Sequence, residues 1–242
     1  MRQYHKHAGR RLALLLLTMV AGTAAQADGL VIDKVYHPYV DALETELEIR
    51  QLVQDPQPGT SNPAQVYQMS LGKALTDEIF SEVYIHAAKD RNGGWKADAL
   101  EVEVKWQLSE QGQYWVDYGL LFEYEDERQL DAREFTVGFL AEKESGNFST
   151  AANFMVIREW GSAIRSEYET ALAMQTRYRL RETLEPGIEF YAGEDTRGLG
   201  PVLQGTWRTG VRRNLHWEAG LILGLDSKSP DQTWRFLFEY EF

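Results

Sequence analysis

The chain has 242 residues, with 25 Lys+Arg against 37 Asp+Glu and a formal charge of −12. That acidity argues against nucleic acid as a partner, because phosphate binding needs a basic surface. The absence of cysteine excludes disulfides, thiolate nucleophiles and cysteine metal sites, and 12% aromatic with 43% apolar residues is too rich for a disordered chain.

Residues 1–27 read as a cleaved secretory signal peptide. Arg10 and Arg11 close a basic head, 12–22 form an apolar run, and Ala25, Gln26 and Ala27 make a small-x-small cleavage pattern. The run is too short to span a bilayer as a helix, which weighs against the competing reading of an uncleaved anchor. Cleavage near Asp28 leaves 21 Lys+Arg against 37 Asp+Glu, a charge of −16. The expected organisation is a leader over 1–27, a periplasmic segment over 28–38 that tucks into the mouth of the fold, and one domain over 39–242.

Beyond the leader the dominant signal is strict alternation. Leu43, Thr45, Leu47 and Ile49 alternate with Glu44, Glu46, Glu48 and Arg50. Leu100, Val102, Val104 and Trp106 alternate with Glu101, Glu103 and Lys105. Twelve such runs are expected, near 39–54, 65–74, 79–89, 95–108, 114–125, 132–143, 148–159, 167–180, 184–193, 201–208, 215–225 and 232–242. Most exceed the roughly 5–6 residues of a soluble strand and match the roughly 9–11 of a tilted membrane-spanning one. Connectors alternate in length. Those at 75–78, 109–113, 144–147 and 181–183 are short, and those at 55–64, 126–131, 160–166, 194–200 and 226–231 are longer, with 90–94 a short exception. Short turns at one end and longer loops at the other are the habit of outer-membrane barrels. The fold expected is all-β, an antiparallel transmembrane barrel of twelve strands. A periplasmic β-sandwich or lipocalin-like barrel is the competing fold, but it gives no reason for Tyr and Trp near the run ends.

The last run reads Trp234, Arg235, Phe236, Leu237, Phe238, Glu239, Tyr240, Glu241, Phe242. Its C-terminal Phe, with Tyr240 and Phe238 at alternate positions before it, resembles the outer-membrane β-barrel proteins of Gram-negative bacteria. The resemblance specifies the class and no subfamily. It implies a place in the outer membrane, contact with outer-membrane lipid, and Phe238, Tyr240 and Phe242 as the signal read by the barrel-assembly machinery.

If the apolar phase faces lipid, the other phase lines a lumen. Glu44, Glu46 and Glu48 on the first strand then lie beside Glu239 and Glu241 on the last, with Arg50 and Arg235 as the nearby bases. Further lumen charges are Glu101, Glu103, Lys105, Asp117, Arg177 and Arg179. Hairpin geometry places Arg179 opposite Glu185 and Lys105 opposite Asp117. In one reading these charges pair and close the lumen; in the sharper one the surplus acids favour cations. Inner-phase glycines (Gly72, Gly119, Gly138, Gly187, Gly220, Gly224) are read mainly as relief for barrel curvature.

No convincing catalytic constellation emerges, and no enzyme is expected. His86 and His216 fall toward opposite ends of the barrel, and Ser81 lies on the lipid phase away from both. No metal spacing or nucleotide motif is present, and His86 with Glu82 reads as structural pairing. No cofactor is expected. The leading function is a passive channel or transport component for small solutes, with an acidic, cation-preferring lumen. The alternatives are a non-conducting structural or interaction barrel and an outer-membrane hydrolase.

Overall fold

The computed structural model of the chain describes residues 31–55, 65–89, 94–128, 131–162 and 164–242. The leader and most of the loop at 55–64 lie outside the described residues. Twelve antiparallel strands run as β1 (Thr45–Gln54), β2 (Gln65–Ala74), β3 (Ile79–Lys89), β4 (Trp95–Gln107), β5 (Asp117–Glu127) and β6 (Ala132–Ser145), then β7 (Phe148–Gly161), β8 (Glu167–Tyr178), β9 (Glu185–Ala192), β10 (Arg197–Gly210), β11 (Arg213–Gly224) and β12 (Gln232–Glu241). Each pairs with its chain neighbours, and β1 pairs with β12 to close the barrel. The closing register sets Glu46 opposite Glu241 and Glu48 opposite Glu239.

The side-chain distribution is inside out. Leu47, Ile49, Met69, Leu71, Val83, Ile85, Phe139, Phe154, Leu203 and Phe238 are exposed on the outer wall. Glu48, Arg50, Glu82, Glu142, Glu189, Gln204 and Arg235 are buried inside. This is the arrangement a spanning sheet needs: closure pairs every backbone group, and apolar side chains meet hydrocarbon. Aromatic residues gather at both ends of the wall. Trp207 stacks on Trp217 and Tyr240 on Phe242 near the short turns. Tyr67 packs edge-on to Trp95, and Trp234 stacks on Phe236, near the long loops.

Every expected run contains a strand, and the differences lie at boundaries. β5 begins at Asp117 rather than 114, because the preceding turn is longer; the Tyr118 backbone N–H donates to Ser109 Oγ across it at 2.9 Å. Lys105 consequently faces Leu121, not Asp117, and Asp117 faces Glu142 of β6. β10 begins at Arg197, four residues earlier than expected. A two-residue turn, Gly146-Asn147, joins β6 to β7, with Ser145 paired to Phe148. Its φ of +60° at Gly146 belongs to a turn that glycine enters without steric cost.

β1 begins at Thr45 rather than 39, since the chain before it runs inside the barrel. From Val31 it descends the lumen to Asp41, where Glu44 N–H donates to the Asp41 carbonyl at 3.1 Å and Leu43 takes a φ of +68°. The chain reverses there and climbs the wall as β1. Val31 packs on Gly193 at the long-loop end, Ile32 on Gly198, and Pro38 on Gly119 near the short turns. Residues 31–44 thus extend along the whole lumen, where the sequence suggested a stretch confined to its mouth.

Candidate functional site

The lumen and the segment threaded through it form the candidate site. The segment's backbone is gripped by wall side chains. Tyr36 N–H donates to Asn153 Oδ1 at 2.7 Å, and Asn153 Nδ2 donates to the Tyr36 carbonyl at 2.9 Å. Val40 N–H donates to Gln107 Oε1 at 2.7 Å. These amides meet backbone polarity that no strand satisfies, as burial requires. Apolar contacts complete the grip: Ile32 and Val35 pack with Ala151, Ala173, Tyr191 and Ile222, and Tyr36 packs with Leu121 and Leu140.

The segment also carries charge to the wall. Asp33 pairs with Arg50, and Lys34 Nζ lies 3.0 Å from Glu48 and 3.8 Å from Glu82. His37 Nδ1 is 2.7 Å from Glu142. The Tyr39 hydroxyl donates to Asp117 at 2.9 Å, and the Tyr36 hydroxyl lies 2.8 Å from Glu103 and 3.0 Å from Glu123. Sequence reasoning placed Glu48 beside Arg50 but missed Lys34 as its second base. That contact is invisible to strand periodicity.

The acidic strip divides. Glu48 is fully engaged by Arg50 and Lys34. Glu44, Glu46, Glu239 and Glu241 line a cavity of about 310 Å³ at the short-turn end, together with Glu103, Lys105, Arg177 and Glu218. A second cavity of about 280 Å³ lies beside it, lined by Arg177, Arg179, Glu185 and His216, and the two share Arg177 and His216. Arg235 is wholly buried between Glu189 and Glu218, with Nη1 at 2.5 Å from Glu218. Arg179 does not pair with Glu185. The β8–β9 ladder stops at Arg177 and Gly187, so Arg177 Nε reaches Glu185 at 3.6 Å while Arg179 bonds Glu144.

Acids crowd the wall from β3 to β8. Glu82 faces Glu103, Glu103 faces Glu123, Glu101 faces Glu125, Glu125 faces Glu134, and Glu134 faces Glu159. Facing like charges destabilise a sheet unless something intervenes. Tyr36 intervenes at Glu103 and Glu123, and His86 at Glu101. His216 is the centre of a chain that sequence reasoning overlooked: Nδ1 is 3.2 Å from Thr206 Oγ1 and Nε2 is 3.0 Å from Glu218. The order hydroxyl, imidazole, carboxylate resembles a hydrolytic triad, but the same carboxylate is held by Arg235, which ties it into the charge network.

No protein family and no curated protein matches the chain by sequence. Solved structures do match in shape. The KdgM porin in complex with disordered oligogalacturonate aligns at a TM-score of 0.57 and 10% identity, over 81% of this chain and 99% of that one. The COG4313 outer membrane channel from Pseudomonas putida F1 aligns at 0.57 and 12%, over 89% and 99%. The chain has the fold of an outer-membrane β-barrel protein. The NanC porin aligns likewise, at 0.53 and 8% over 81% of this barrel and 98% of its own length.

Proposed function

We propose that this barrel is a channel for small solutes in the Gram-negative outer membrane, and that residues 31–44 occlude its lumen at rest. The carrying observation is how the segment is held. Wall side chains Asn153 and Gln107 bond its backbone, and ion pairs fix Asp33, Lys34 and His37, without strand pairing. Such contacts can be released without opening the sheet. Two neighbouring cavities near the short turns leave open space at that end of the lumen. Their surplus of carboxylates at Glu44, Glu46, Glu239 and Glu241 favours cations, as rings of acids do in channels. Phe242, whose N–H donates to the Thr45 carbonyl at 2.8 Å where the barrel closes, ends the segment read by the assembly machinery.

A second reading, a non-conducting barrel, is favoured by the same filling of the lumen and by the buried Arg50 and Arg235 pairs. Reversal potentials in a planar bilayer under a salt gradient separate the two. Cation preference that falls in the Glu44→Gln/Glu46→Gln/Glu241→Gln variant supports the channel. A folded barrel that stays silent under every voltage supports the closed one.

A further inference from the structure

We propose that the half of the lumen nearer the long loops contains a binding site for a divalent transition-metal cation, made by His86 of β3, Glu101 of β4 and Glu125 of β5. One imidazole nitrogen and one oxygen from each carboxylate lie within 4.8 Å of one another. Three successive strands supply one ligand each, and Glu101 and Glu125 are directly opposed in the register.

One observation points to a ligand rather than to a chance gathering of acids. The imidazole is deeply buried, with 7% of the residue exposed, and its Nε2 has no hydrogen-bond partner. Glu101 Oε2 stands 2.9 Å from that nitrogen, and Glu125 Oε2 stands 3.8 Å from Nδ1. The Glu101 oxygen is close enough to bond but out of line with the N–H direction. The imidazole ring thus stands between the two carboxylates, with one nitrogen toward each, and either nitrogen can offer its lone pair to a cation that the carboxylates also face.

The donor chemistry selects the class of ion. Imidazole nitrogen with carboxylate oxygen suits zinc and its neighbours, at bond lengths of about 2.0–2.2 Å. Magnesium prefers an all-oxygen shell and retains water. A dication here also relieves the repulsion between Glu101 and Glu125 and links β3, β4 and β5 through side chains. Glu82, the partner suggested for His86 by sequence spacing, is instead engaged by Ser70 and Tyr84. The site does not depend on whether the barrel conducts.

The test is calorimetric titration of the refolded full chain with Zn²⁺, beside an identical titration with Mg²⁺. One high-affinity Zn²⁺ per chain is expected, weakened at least about tenfold by His86→Gln and by Glu101→Gln/Glu125→Gln, the scale on which metal-site perturbations act. Zn²⁺ and Mg²⁺ binding alike, with no effect of His86→Gln, would mean diffuse counterions in an acidic lumen and would overturn the site. Should the variants fail to fold, X-ray absorption on Zn²⁺-loaded wild-type protein decides. Imidazole scattering supports the site, and an oxygen-only shell contradicts it.

Discussion

The side-chain amide of Asn153 grips both backbone polar groups of Tyr36, accepting from its N–H at 2.7 Å and donating to its carbonyl at 2.9 Å. A wall side chain here does what a neighbouring strand does elsewhere, so the segment is fixed in the lumen without joining the sheet. Asn153→Ala leaves two buried backbone groups unpaired, at about 1–3 kcal/mol each. Limited proteolysis of the folded barrel should then cut within 31–44 while β1–β12 stay intact. Cleavage at the wild-type rate would show that Asn153 is not the anchor.

The barrel was legible in the sequence because its signal is local. Alternation over long runs, such as Leu100 to Trp106, sets the inner and outer faces of each strand one residue at a time. The inner segment was not legible for the converse reason. Ile32, Val35, Tyr36 and Val40 lack strand alternation and fall at the spacing of a helix face, yet the segment forms no helix, and Tyr36 meets Asn153 across 117 residues of sequence. Side-chain pairing fell between these cases. Hairpin geometry set Arg179 opposite Glu185 and Lys105 opposite Asp117, yet long side chains reach past the residue directly opposite, and a lengthened turn moved Lys105 away from Asp117.

Arg235 is fully buried between Glu189 and Glu218. Arg235→Ala leaves the buried Glu189 without its base and Glu218 with His216 alone, and loss of one partner of a buried pair costs about 3–5 kcal/mol. The urea midpoint of the compact, heat-modifiable gel band should fall accordingly. A midpoint within error of wild type would mean that the network rearranges around the loss.

Phe154 lies midway along β7 on the outer wall, 49% exposed. Phe154→Arg places a charge against hydrocarbon near the midplane, which costs about 2–4 kcal/mol in membrane barrels. Refolding yield into lipid vesicles should drop, whereas unchanged yield would indicate that this face does not meet lipid.

Asp226, in the loop between β11 and β12, accepts from Ser229 Oγ at 2.8 Å, from Ser229 N–H at 3.0 Å and from Lys228 N–H at 3.1 Å. The Ser229 hydroxyl bond comes first among the causes that hold its carboxyl below the ordinary aspartate range. A lowered value means the loop gains order above the unfolded value and loses it as pH falls through the folded one. Amide exchange at Lys228 and Ser229 should therefore accelerate in mild acid, and Asp226→Asn should flatten that dependence. The same acid response in both proteins would exclude Asp226 as its source.

The most direct test of an occluded channel is single-channel conductance of the wild-type barrel beside a variant carrying Asp33→Ser, Lys34→Ser, Tyr36→Ser and His37→Ser together with Asn153→Ala and Gln107→Ala, which keeps the segment's length and removes its ion pairs, its Tyr36 hydroxyl bonds and the amide grips on its backbone. The account predicts small or rare openings in the wild type and larger, long-lived openings in the variant. Equal conductance in two well-folded barrels would contradict it, because the segment could not then be what closes the lumen.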